Sequence, residues 1–471
     1  MRVMRRCCLA LVLWLIPTLA ASAATTADCV VELRLEDRGS DRAPSLAVTI
    51  TCRADGTVTF SADSVTTKAH LSDARDGDGT AISESNDAWR VPARGGKAIL
   101  RYGFDLSGFA RDVDRVTAAV ERGGAAMAIL STWLLEPRLP SGATPVIDIR
   151  VTAPSELKVA MALPPVDGGW RLQGTTVRFA GYSVIGRFDR EAMTLPAAGN
   201  GSATLDIALL DGELALSRPE LLDWIRKIAL AHVAYWQGFT SSRVLLTVVP
   251  VPGRPGVVFG RVVPGGGVSV MLQVGARATV PQLWDDWVLP HEFVHTGMPM
   301  ITGRATWFME GAATYVEPVI RARAGFKREA DVWREWIEQM PRGLSALKGG
   351  MSGGSPYWGG GLFMLLTDIE IRRATSGAKG LEHCLRGALR AGGDMAPAER
   401  WPLTTFAQRC DAALGTPVLA TMLERHLGKS VEVDLPALWR DLGVRLTADG
   451  VAMDDSAPLA WIRKILVMGR A

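Results

Sequence analysis

The sequence predicts an α+β protein of more than one domain, with an all-β, sandwich-like front half and a mostly helical second half that carries a small sheet. Three observations predict this. From residue 28 to about 212 the chain is a series of short β-branched or alternating segments broken by Gly, Asp, Asn and Pro. From Ser217 the apolar residues recur instead at helical spacing. A length of 471 residues also exceeds what one ordinary core can organise.

The chain opens with MRVMRRCCLALVLWLIPTLAASA, an Arg-rich start, a short apolar run and small residues at Ala21-Ser22-Ala23, the pattern of a cleaved secretory leader over 1–23. Its apolar run is short and interrupted by Pro17, and no later stretch is apolar enough to span a bilayer, so the processed chain is expected to be soluble, without a membrane anchor. Cys29 does not directly follow the apolar run, as a lipid-attachment site would require, which argues against a lipoprotein. Losing Arg2, Arg5 and Arg6 with the leader brings basic and acidic residues into balance, so nothing in the charge points to nucleic acid. Export to the periplasm or the medium is the expected fate. After loss of Cys7 and Cys8, four cysteines remain, Cys29 with Cys52 and Cys384 with Cys410, one pair in each half; two local disulfides or four buried thiols would account for them.

The front domain is placed at 24–214. Segments such as CVVELRLED, SLAVTITCRA, KAILRYGFDL and TVRFAGYSV read as its strands. Its one histidine, His70, has no second metal-binding residue at ligand spacing and reads as a packing or surface residue. The second domain is placed at 215–430. Ser217 as cap and Pro219 just inside open a helix that runs to Gly238, with His232 on it as a core or surface residue. RVLLTVVPV, GVVFGRVV and VSVMLQV follow as three short strands. From about 280 to 428 the pattern is helical, with Gly-rich breaks at 349–354 and 359–361. Residues 431–471 read as a closing strand pair and a short helix, with no chemistry of their own.

The chemistry concentrates in LPHEFVHTG. His291 and His295 are four apart, so at about 100° per residue both imidazoles lie on one helix face and can reach one metal ion. Glu292 is one step round, where it can take a proton from a metal-activated water rather than bind the metal. Pro290 either opens this helix or kinks a longer one starting near Pro281. A catalytic zinc needs a third protein ligand and an open position. No third histidine follows closely. WFMEGAATYVEP instead offers Glu310 and Glu317, seven apart and nearly on one helix face. Glu310, beside Trp307 and the small Gly311, Ala312 and Ala313, is the ligand candidate, one Zn2+ per chain being expected; Glu317 is the candidate for orienting a ligand from behind. A structural zinc would need four closed ligands, and no cysteine lies near.

HEFVH followed by WFMEGAATYVEP resembles the signature of the gluzincin zinc metallopeptidases, closest to the glycyl aminopeptidase-like family with its aminopeptidase N-like catalytic domain. SPYWGGGLFMLLTDIEIRRATSGAKGLEHCLRGAL is similar to that family's downstream segment. The resemblance implies a thermolysin-like catalytic domain, hydrolysis of peptide or protein substrates, and for Tyr357 the part of hydrogen-bonding the oxyanion. A phenol suits that part on chemical grounds, being a neutral donor at working pH; by position, Tyr357 at a Gly-rich break and Tyr315 past Glu310 are both open to it. The family's aminopeptidases carry a Glu for the substrate amine on a Gly-rich strand before the zinc helix. The corresponding GRVVPGGGVSVMLQV has glycines and no carboxylate. Gly265, Gly266 and Gly267 are the candidates for close approach of a peptide paired along this strand. Asp285 and Asp286 are alternative amine binders or simply helix-start carboxylates. Aminopeptidase and endopeptidase readings therefore stand side by side. Outside the enzymes, the rival is a periplasmic binding or scaffold module that retains zinc without turnover.

Overall fold

The computed structural model describes residues 26–199, 201–397 and 399–469; the leader expected over 1–23 lies outside them. The front half is built of strands, as the alternation predicts. Cys29–Glu36 buries every other residue, because successive side chains of a strand turn to opposite faces. It lies in a seven-stranded sheet, between Ile147–Thr152 on one side and Ser45–Arg53 on the other. Cys29 and Cys52 stand opposite each other in that antiparallel register and form a disulfide; Cys384 and Cys410 form a second.

Two smaller sheets cover the inner face. One is three-stranded, around Thr57–Ser61. The other is four-stranded and runs in the order Lys158–Met161, Tyr182–Gly186, Ala125–Ile129, Ala119–Arg122. Val31, Ile50, Phe60, Trp89, Ala126 and Ile185 share the resulting core. The four-stranded sheet is buried on both faces. Its far side, with Val120, Met127, Tyr182 and Val184, packs on Leu245, Val249 and Met271 of the next sheet.

That next sheet has five strands, in the order Asp189–Pro196, Ser202–Leu209, Arg243–Val251, Val268–Gly275, Val257–Pro264. The three expected strands are present, joined by two that precede residue 214. The sheet thus runs across the expected boundary without a break in pairing. Its middle strands are parallel and buried on both faces, which explains their continuous apolar runs. Val257–Pro264 is an antiparallel edge strand.

On the side away from the front half, two helices cover the sheet. The opening helix, Arg218–Trp236, starts at a capping box between Ser217 and Glu220 and ends at Gln237 in the left-handed conformation. The motif helix is Val288–Thr296. Beyond them, Thr306–Arg323, Pro356–Ala374 and later helices close around one large core that includes Phe308, Trp333, Trp336 and Phe363. Leu435–Leu442, the hairpin Val444–Thr447 with Gly450–Met453, and Ala460–Leu466 bury Trp439, Leu442 and Ile462 in that same core.

The expected glycine break at 359–361 is a correction. These glycines lie inside the helix Pro356–Ala374. A Cβ on Gly360 would stand 1.9 Å from the Trp307 carbonyl oxygen, and one on Gly311 would stand 2.2 Å from the Gly360 carbonyl carbon. The glycines are there to let two helix backbones touch, and that contact outweighs their poor helix propensity of about 1 kcal/mol each. The break at 349–354 is a true one.

Candidate active site

Pro290 opens the motif helix. It is the third helical residue, where the first-turn N–H groups have no intrahelical acceptor, so its missing donor costs nothing. A separate short helix, Val280–Asp285, precedes it, and the chain is extended at Asp286. The Asp286 carboxylate accepts the Leu289 N–H at 3.1 Å, capping the turn. Burial pushes its pKa up to about 6 against the backbone donors around it. Asp286 is therefore a buried cap, and Asp285 is exposed on the preceding turn.

His291 and His295 project from one face of this helix, both buried. Their Nε2 atoms are 3.2 Å apart. The Glu310 carboxylate, from the helix Thr306–Arg323, reaches both: 3.1 Å to His291 Nε2 and 3.5 Å to His295 Nε2. With zinc–ligand bonds of about 2.0–2.1 Å, ligand atoms on a tetrahedron stand about 3.3–3.4 Å apart. The spacings observed bracket that value, so a tetrahedral zinc fits the three donors. Among the described residues these three form the cluster of His, Cys, Asp and Glu whose ligand atoms converge in this way. Burial lowers the His291 pKa to about 4, despite Glu310, which keeps the ring neutral as a ligand must be. For Glu310, burial is outweighed by the two imidazoles, and its carboxyl is held well below the usual range.

Glu292 leaves the helix one step away from the ligands and faces the edge strand Val257–Pro264. A Cβ at Gly260 would stand 3.0 Å from Glu292 Oε1 and 2.6 Å from Val288 Cγ1, so only glycine fits there. The Val262 backbone and the Arg261 guanidinium also act on the carboxylate. Burial dominates all the same, raising its pKa to about 7.

The two tyrosine candidates separate. Tyr357 sits in the first turn of the helix Pro356–Ala374, capped by Ser355, whose hydroxyl accepts the Trp358 N–H. Its ring lies 5.9 Å from that of His291, and it is 41% exposed, so its hydroxyl is open to a ligand. Burial first, then Glu310 and Glu292, raise its pKa and keep the phenol protonated. Tyr315 is elsewhere: its hydroxyl donates to Asp368 at 2.8 Å, and its ring stacks on Trp336.

Two expectations are corrected. Gly265, Gly266 and Gly267 do not face the imidazoles. Cβ atoms there would stand 2.0 Å from the Phe179 carbonyl oxygen, 2.7 Å from the Leu163 side chain and 1.9 Å from the Ala162 carbonyl oxygen. These glycines let the strand turn pack against the front half, which leaves no room for a peptide. Glu317 bonds Arg321 at 3.4 Å rather than an imidazole, and the Nδ1 atoms of His291 and His295 have no hydrogen-bond partner. Arg321 in turn donates to the carbonyls of Trp284 and Asp285 at 3.3 and 2.9 Å. Glu317 thus acts on the segment leading into the motif helix, at a distance from the ligands. Its burial pushes its pKa up to about 8 in spite of Arg321.

Three residues of the site escape sequence reasoning. Gly260 and Arg261 carry no motif of their own, and their position follows only from the edge strand lying along the motif helix. Trp287, half-exposed, sets its ring edge-on to His291 at 5.2 Å. His70 and His232 lie apart from the site. His70 pairs with Asp112 at 3.0 Å, and His232 is buried among Trp236, Phe239 and Phe293.

No protein-family model matches the chain, and no curated protein matches it. Solved structures do. The chain is similar to the aminopeptidase N family protein of Idiomarina loihiensis, at 13% identity and a TM-score of 0.62 over 89% of this chain and 79% of that one. It is also similar to a variant of the M1 zinc metallopeptidase of Deinococcus radiodurans, at 15% identity and a TM-score of 0.50 over 86% and 94% of the two chains. At such identity the likeness is one of fold. The chain has the fold of these aminopeptidase N-like structures, a β-rich front followed by a helical domain.

Proposed function

We propose that the protein is an exported zinc peptidase in which His291, His295 and Glu310 hold one Zn2+ and Glu292 is the general base. The observation that carries the reading is the convergence of two imidazole Nε2 atoms and one carboxylate at the spacing of a tetrahedral site. Zinc bound there supplies Lewis acidity, lowering the pKa of water and polarising a carbonyl. Glu292, off the ligand set and close enough to His295 and Glu310 to feel their charge, takes the proton of the attacking water and passes it to the leaving amine nitrogen. A pKa raised by burial suits a group that must both accept and release a proton near neutrality. Tyr357 donates its hydroxyl hydrogen to the carbonyl oxygen as negative charge develops on it. The edge strand Val257–Pro264 offers unpaired main-chain groups along which an extended peptide can lie. The two disulfides and the leader-like start support export to an oxidising compartment.

The test is Glu292→Gln. Zinc content measured on the purified protein stays at one per chain, while cleavage of a peptide library falls by at least about 10²-fold. Undiminished cleavage would remove Glu292 from the reaction. Zinc that binds to unaltered protein without any cleavage would favour a scaffold that retains metal. Comparing one test peptide with free and with blocked N-terminus separates aminopeptidase from endopeptidase action.

A further inference from the structure

The edge strand Val257–Pro264 has two faces, and they line the cleft differently. Gly260 and Val262 pair with Leu272 and Val270, which belong to the core beneath the opening and motif helices, so these residues face Glu292. Arg261 pairs with Met271, which belongs to the core shared with the front half, so its side chain leaves on the opposite face. There it meets the Tyr182 phenol, which itself donates to the Thr117 carbonyl at 2.9 Å. Arg261 is exposed and forms no ion pair among the described residues, yet it stands close enough to Glu292 to act on its charge. Some arginines of the front half are paired with carboxylates, as Arg187 is with Asp37 and Arg171 with Asp148. Arg261 has no carboxylate partner of this kind among the described residues and is exposed on the edge strand.

A guanidinium in that position has a preferred ligand. Five donors in a planar fork match a carboxylate. A peptide paired along the edge strand turns successive side chains to alternate faces, so every second one comes to the Arg261 side. We propose that Arg261 is a specificity-determining residue that binds a carboxylate of the peptide substrate, either an acidic side chain beside the scissile bond or the C-terminal carboxylate. The strand would then select substrates by negative charge. This rests on the peptidase reading of the site.

The experiment uses two peptide pairs of otherwise equal sequence: Glu against Gln beside the scissile bond with an amidated C-terminus, and a free against an amidated C-terminus with neutral side chains. Turnover is measured with the unaltered zinc-loaded protein and binding with the zinc-loaded Glu292→Gln variant. One pair is expected to show a preference of about ten- to a hundredfold for the carboxylate, the range of a charged hydrogen bond. That pair identifies the source of the charge. In Arg261→Gln the ratio collapses towards one, Arg261→Lys restores part of it, and Arg261→Glu inverts it. Ratios near one for both pairs in the unaltered protein, or a preference that survives Arg261→Gln, would overturn the proposal. If no peptide is cleaved at all, the peptidase reading falls, while the binding ratio still decides on Arg261.

Discussion

A neutral phenol beside a candidate metal-binding imidazole has one thing to give, a hydrogen bond. Tyr357 has its ring 5.9 Å from His291 and its hydroxyl open to the cleft, whereas the Tyr315 hydroxyl is committed to Asp368. In the proposed reaction that bond strengthens as the carbonyl oxygen gains charge. Tyr357→Phe should therefore lower kcat by about 10²–10³-fold with KM little changed, measured by steady-state hydrolysis of a single peptide. A change confined to KM would assign Tyr357 to ground-state binding instead. The convergence of the two imidazoles was legible because helix geometry is local: four positions put His291 and His295 on one face whatever surrounds them. Arg261 and Gly260 were not legible, since nothing within the strand records which helix lies against it. Glu317 was expected to orient a ligand from behind or else to be a solvated helix carboxylate; it is buried instead, and the arginine four residues on takes it.

At the scale of elements, the site is assembled by three helices, and the closest contact among them is backbone on backbone. Gly311 and Gly360 bring Glu310 and Tyr357 to the same imidazole, His291, because neither helix carries a side chain at the crossing. Gly360→Ala places a methyl group against the Trp307 carbonyl, and overpacking of that kind costs about 1–3 kcal/mol, more than the roughly 1 kcal/mol that alanine returns as helix propensity. Denaturant unfolding should show a net loss, accompanied by lower activity as Tyr357 moves. Gly353→Ala, at a glycine with open space around it, is the control and should leave the midpoint in place. A Gly360→Ala protein as stable and active as the parent would show that the helices can separate freely. A glycine triplet in sequence usually reads as a break, and only the partner helix shows that this one is a close approach.

For the whole molecule, strands in front and helices behind were legible from periodicity, but the seam was not. Asp189–Pro196 and Ser202–Leu209 have the same alternation as the front strands, and nothing local says that they pair forward with Arg243–Val251. The helical half is closed at its far end by the Cys384–Cys410 bridge between two adjacent helices, a loop of sequence separation 26. Chain-entropy arguments give such a loop about 3.5 kcal/mol. Replacing both cysteines by alanine should lower the unfolding free energy by roughly 2–4 kcal/mol, read by denaturant titration; reductant, which also opens Cys29–Cys52, should cost the parent more than the variant by that same amount. Equal stability with and without reductant would mean that the bridge constrains little.

The four-stranded sheet that holds Tyr182 is packed on both sides, by the front core and by the catalytic sheet. A wall clamped in this way cannot swing like a jaw about a hinge, because any rotation would tear one apolar layer open. In the proposed peptidase that sheet would be a fixed surface, against which a substrate has to fit as it arrives.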